Sequence, residues 1–140
     1  MTRLHLTRLH LTRLNLACTL WLAGLLPLAA QAAPLPPVPR AEVDALLTRL
    51  QTSGCEFNRN GSWYAGAEAK AHLLKKLDYL EGKDLVRTAE QFIERGASAS
   101  SMSGKPYQVR CAGQAPVQSA VWLKAELQQV RAARAASAPR

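Results

Sequence analysis

The chain has 140 residues, 48% of them apolar, and a formal net charge of +8. That length supports one domain with one modest core. The charge does not mark a nucleic-acid binder, which needs a basic stripe on its folded body: residues 41–130 hold eleven basic and ten acidic residues.

Residues 1–32 read as a cleavable secretory signal. Arg3, Arg8 and Arg13 stand in the first fifteen residues without an acidic neighbour, and an almost wholly apolar run of about fifteen residues follows from Leu16 to Ala30. The run is shorter than the roughly twenty residues a spanning helix needs, and Ala30-Gln31-Ala32 supplies the small-x-small site, so cleavage is expected after Ala32. An uncleaved anchor is the alternative. Cys18 stands at the start of the apolar run rather than its end, against a lipoprotein reading. The five-residue repeat carrying His5 and His10 fits no solenoid unit and reads as a lengthened basic region. Removing 1–32 lowers the formal charge to +5.

Pro34, Pro36, Pro37 and Pro39 hold 33–39 extended as a linker, and the globular domain is expected over 40–131. Val43, Leu46, Leu47 and Leu50 recur at helical spacing, which predicts a helix over about 40–53 with Gly54 as its left-handed cap. Asn60-Gly61, flanked by alternating residues from Cys55 to Tyr64, predicts a hairpin or ordered loop. Ala69, Leu73, Leu77 and Leu80 predict a second helix over about 65–81, ended by Gly82. Thr88 to Gln91 matches a capping box before a short third helix stopped by Gly96. Tyr107, Val109 and Cys111 alternate as a strand over 106–111, and Ser119 is placed to cap a last helix with Trp122, Leu123, Leu127 and Val130 inward. Residues 132–140 read as a fraying Ala/Arg tail. The fold class is therefore α+β, mostly α, with about four helices and a small antiparallel β element.

Without the signal, Cys55 and Cys111 are the two cysteines left, and an isolated pair in an exported domain this small is most simply a disulfide. Such a bond draws together two loops rich in cations, hydroxyls and aromatics: Arg59, Asn60 and Tyr64 on one, Ser101, Ser103, Lys105 and Tyr107 on the other. They make a candidate recognition patch for a glycan, peptide or protein; the plainer reading is that Asn and Gly serve turns while the aromatics finish the core.

His72 is the single histidine of the mature chain. Glu68, His72 and Lys76 fall at i, i+4 and i+8, which suits either a carboxylate-oriented imidazole for general-base work or a solvated salt-bridge ladder. With no second ligand nearby, no metal site is expected. Gly104-Lys105 lacks the first glycine and the following hydroxyl of a phosphate loop, and no serine-nucleophile motif is present. No cofactor is implied.

The pattern Ser53-Gly54-Cys55-x-Phe57-x-Arg59-Asn60-Gly61-x-x-Tyr64, then Ala69-x-x-His72-Leu73-x-x-Lys76, Glu90-Gln91-Phe92-Ile93-Glu94, and Ser100-Ser101-Met102-Ser103-Gly104-Lys105-Pro106-Tyr107 with Cys111, resembles a proteobacterial family of small exported proteins classified as a domain of unknown function. The resemblance covers about 41–130 and implies a periplasmic or secreted address without supplying an activity. The expectation is a non-enzymatic binding or accessory protein of the envelope. The alternatives are a small hydrolase using His72 with Glu68 or a loop serine, and an inhibitor presenting Ser103-Gly104-Lys105 to a cell-wall hydrolase.

Overall fold

The computed structural model describes residues 33–138, so the expected leader lies outside the described residues. Helix α1 spans Pro37–Thr52, strands β1 (Glu56–Arg59) and β2 (Ser62–Ala65) follow, and α2 spans Gly66–Gly82. A short α3 (Ala89–Phe92) runs directly into a π-helical turn, Ile93–Ala97, before β3 (Gln108–Arg110), β4 (Val117–Gln118) and α4 (Ser119–Ala136). The strands form one antiparallel sheet in the order β2-β1-β3-β4.

The helical stripes read from the sequence supply most of the core, while Ala69, Trp122 and Val130 are only part-buried against it. Val43, Leu46, Leu47 and Leu50 of α1 are buried with Leu73, Leu77 and Leu80 of α2, Phe92 and Ile93, and Leu123 and Leu127 of α4. Phe57 and Val109 complete the core from the sheet, paired across β1 and β3.

The hairpin turns on Asn60 and Gly61, both at positive φ (54° and 92°), the conformation an Asn-Gly pair adopts at low cost between two twisted strands. Just beyond it Gly66 opens α2, where a Cβ would lie 2.4 Å from the Leu50 carbonyl oxygen; α1 and α2 approach here because glycine adds nothing between them. Cys55 and Cys111 are disulfide-bonded, with Cα atoms 4.3 Å apart, one step beyond the Glu56–Arg110 pair that ends the β1–β3 ladder.

Several boundaries differ from the sequence reading. The Pro-rich segment is not a free linker: α1 already begins at Pro37, Leu35 is buried, and its N–H donates to Glu81 Oε1 at 2.9 Å. Proline is excluded from helix interiors, but the first turn needs no amide donor there. Ser119 does not cap α4. Gln118 takes that place, at the end of a two-residue strand that alternation had not revealed, and the buried Ser119 hydroxyl donates to the Ala97 carbonyl at 2.6 Å.

Gly96 does not stop the third helix but lies inside the π turn, where a Cβ would stand 3.0 Å from the Phe92 ring. Thr88 does cap α3, its hydroxyl accepting from Gln91 N, while the Gln91 side chain accepts from Arg87 N, one residue before the amide a capping box would satisfy. The expected fraying tail is helical as far as Ala136; Arg131 anchors it in a bidentate pair with the buried Glu42 of α1 (2.8 and 2.9 Å) and a contact to Glu90.

Candidate functional site

Strand alternation decides which side chains meet. Residues two apart share a face, so Phe57 and Arg59 point to the same side of the sheet, with Tyr64 directly opposite Phe57 on β2. Val109 opposes Phe57 on β3, and Tyr107, two residues earlier, shares its side. Trp63 alternates to the other face, where the Arg110 guanidinium lies 4.1 Å from its ring centroid; it is not part of the patch expected from its loop.

Between this side of the sheet and α2 lies a cavity of ≈ 320 Å³. Leu50, Phe57, Leu73 and Leu123, all buried, form its inner wall; Arg59, Tyr64 and His72, part-buried, stand at its mouth with the exposed Glu68 and Lys75. The buried Tyr107 and Ser119 also reach it.

Three of the candidate residues form a hydrogen-bonded chain. Lys76 Nζ donates to the Ala99 carbonyl at 3.0 Å and to the Tyr107 hydroxyl at 3.4 Å, and that hydroxyl lies 3.2 Å from His72 Nε2. An ammonium can only donate, so the Tyr107 oxygen accepts from Lys76; with a second lone pair and its own proton it pairs with His72 Nε2 in either imidazole tautomer. Burial lowers the His72 pKa from its ordinary value, and Arg59, Lys76 and Lys75 lower it further, all favouring the uncharged ring. Burial also lowers the pKa of Lys76 and raises that of Tyr107, Arg59 opposing the latter.

The salt-bridge ladder expected along α2 is not formed, nor is the acid–imidazole pair. Glu68 turns back to accept the Ala65 N–H at 3.3 Å, serving the start of its own helix, while His72 and Lys76 turn toward Tyr107. The two candidate loops do meet, because the β1–β3 register brings the hairpin turn beside the loop leading into β3: Ser103 Oγ donates to Asn60 Oδ1 at 2.7 Å. Ser101 and Lys105 remain on the exposed loop and do not line the cavity.

Arg40, Arg49, Arg87, Arg110 and Arg131 each pair with a carboxylate. Arg59 pairs with none among the described residues; its guanidinium lies 4.7 Å from the Tyr64 ring centroid. The cavity's inner wall was invisible in the sequence, because Leu50, Leu73 and Leu123 carry the same periodicity as any core residue. Among the described residues no group of three His, Cys, Asp or Glu is placed to hold a metal ion, and no helix is long and apolar enough to cross a membrane.

A family model described as a family of unknown function, DUF5329, matches residues 37–131. The chain belongs to the DUF5329 family. The matched span begins at the first residue of α1 and ends at Arg131, so it takes in every element described above except the last residues of α4. A relative from Salmonella typhimurium strain LT2, named only as uncharacterized protein YfeK, is 43% identical over 68 residues. Those residues are 48% of this chain and 55% of that relative, so the chain spans about half the length of the curated relative it matches. No solved structure matches this DUF5329 chain. Of the positions that carried the family resemblance, Phe57, Arg59, Tyr64, Ala69, His72, Leu73 and Tyr107 line the cavity.

Proposed function

We propose that this DUF5329 protein is an exported, non-enzymatic binding module of the cell envelope, and that the cavity beside His72 and Tyr107 receives its ligand. The observation that carries the reading is an apolar recess lined by His72 and by Arg59, which has no carboxylate partner among the described residues. Ligand sites have this make-up: mostly apolar lining, with few polar groups to fix orientation. The disulfide supports an oxidising compartment, in keeping with the signal-like residues 1–32.

The hydrolase alternative is weaker. His72 Nε2 is held by the Tyr107 hydroxyl, and among the described residues it makes no hydrogen bond to a carboxylate that would orient it or to a serine it would activate. The inhibitor alternative keeps one observation in its favour: the loop is braced by the Ala99–Pro106 bridge and by Gly104 N–H donating to Ser100 O, and it presents Met102 98% exposed.

The test is native mass spectrometry on protein released by osmotic shock from cells expressing the whole chain. Expected are an amino terminus at Ala33, both cysteines oxidised, and a bound small molecule that is absent from the Arg59→Gln/His72→Gln variant. Retention of the leader in the cytoplasm overturns export, and a hydrolytic activity lost in His72→Ala overturns the non-enzymatic reading.

A further inference from the structure

We propose that the cavity takes an amphiphilic anion, an alkyl chain of medium length ending in a single negatively charged head, with the chain against Leu50, Leu73 and Leu123 and the head at Arg59 and His72. This rests on the reading of the site given above and names its ligand class.

Size and lining select the chain. At ≈ 320 Å³ the recess stands at the small end of ligand sites, about 300–1,000 Å³. It suits one narrow group and not an extended glycan. The inner wall is leucine and phenylalanine, so each sugar hydroxyl placed there would lose its water without gaining a partner, which is unfavourable. A methylene chain has no such groups to satisfy, and its burial is favourable.

The mouth selects the head. Arg59 is part-buried, has no carboxylate partner among the described residues, and offers a guanidinium made for planar anions. The Tyr107 hydroxyl engages His72 Nε2, so Nδ1 is the ring nitrogen left without a hydrogen-bond partner among the described residues. The exposed Lys75 adds charge of the same sign. Glu68 is the one carboxylate of the lining, and it already accepts a backbone amide at the start of α2. An anion therefore finds donors at the mouth, whereas a cation would meet Arg59 and Lys75.

The experiment is calorimetric titration of the purified, oxidised protein with decanoate below its micelle concentration, with decanol and butyrate run beside it. Decanoate is expected to bind one to one. Decanol, which lacks the charge, should bind at least about tenfold more weakly, and butyrate, which lacks the chain, should show no saturable binding. Arg59→Gln should bring decanoate down toward the decanol level, and Ala69→Trp, which fills the recess, should abolish binding while keeping a wild-type circular dichroism spectrum.

Absence of saturable decanoate binding to the wild-type protein overturns the proposal, as does decanol binding as tightly as decanoate, or a folded Ala69→Trp protein that still binds. If decanoate fails while protein recovered from the periplasm carries a ligand that Arg59→Gln/His72→Gln loses, the ligand class is wrong and the site stands. If neither is seen, both readings fall.

Discussion

The Cys55–Cys111 bond offers the most quantitative test of how this small domain is held. The two cysteines are 56 residues apart in sequence. In the chain-entropy treatment, closing a loop of that length removes enough freedom from the unfolded chain to stabilise the fold by about 4 kcal/mol. Domains of this size have net stabilities of about 5–15 kcal/mol, so the bond accounts for a large fraction. With an unfolding entropy of about 2.1 cal/mol/K per residue over roughly a hundred ordered residues, Cys55→Ala/Cys111→Ala should lower Tm by about 20 °C. Thermal melts followed by far-ultraviolet circular dichroism, and urea titrations of the same two proteins, give both quantities. Because the effect acts on the unfolded ensemble, the urea m-value should rise in the variant as a less constrained chain exposes more surface. A fall in Tm of less than about 5 °C would show that the β1–β3 ladder and its flanking hydrogen bonds already impose the constraint assigned to the sulfurs.

Two further outcomes follow from single residues. Gly66→Ala drives a methyl group to 2.4 Å from Leu50 O and 2.9 Å from Gln51 O, both backbone atoms, and should cost about 1–3 kcal/mol or more, whereas Gly82→Ala meets nothing within 4 Å and should be neutral or stabilising; urea midpoints at constant m-value separate the two. The lowered His72 pKa means the unfolded chain holds the imidazole proton more tightly, so stability should be fully present above the ordinary value of 6.5 and decline as pH falls through the depressed folded-state value. His72→Gln should flatten that part of the profile; an unchanged slope between neutral and mildly acidic pH would remove His72 as its source.

The helical stripes and the Asn60-Gly61 hairpin were legible in the sequence because each rests on a local period or a local backbone requirement. The disulfide was legible from the count of cysteines and the compartment expected for them. The cavity was not, since nothing separates Leu73 lining a recess from Leu77 filling a core until α2, α4 and the sheet are placed together. His72 and Lys76 were picked out, but on the wrong partner. Helical spacing favoured Glu68, whereas tertiary placement brought Tyr107, 35 residues away from His72, within hydrogen-bond reach. The proline run misled for a related reason: proline forbids a helix interior and welcomes a helix start, and one sequence cannot say which applies.

The ion pair between Glu42 and Arg131 has a consequence for biosynthesis. Ribosomes deliver α1 among the first parts of the domain and α4 as its closing element, yet the apolar stripe of α1 is covered in part by α4, which also supplies Glu126 to Arg49. Until that final helix emerges, the leucines of the first have no complete roof. A product cut short before Ser119 therefore leaves the α1 leucines that α4 covers bare to proteases and chaperones.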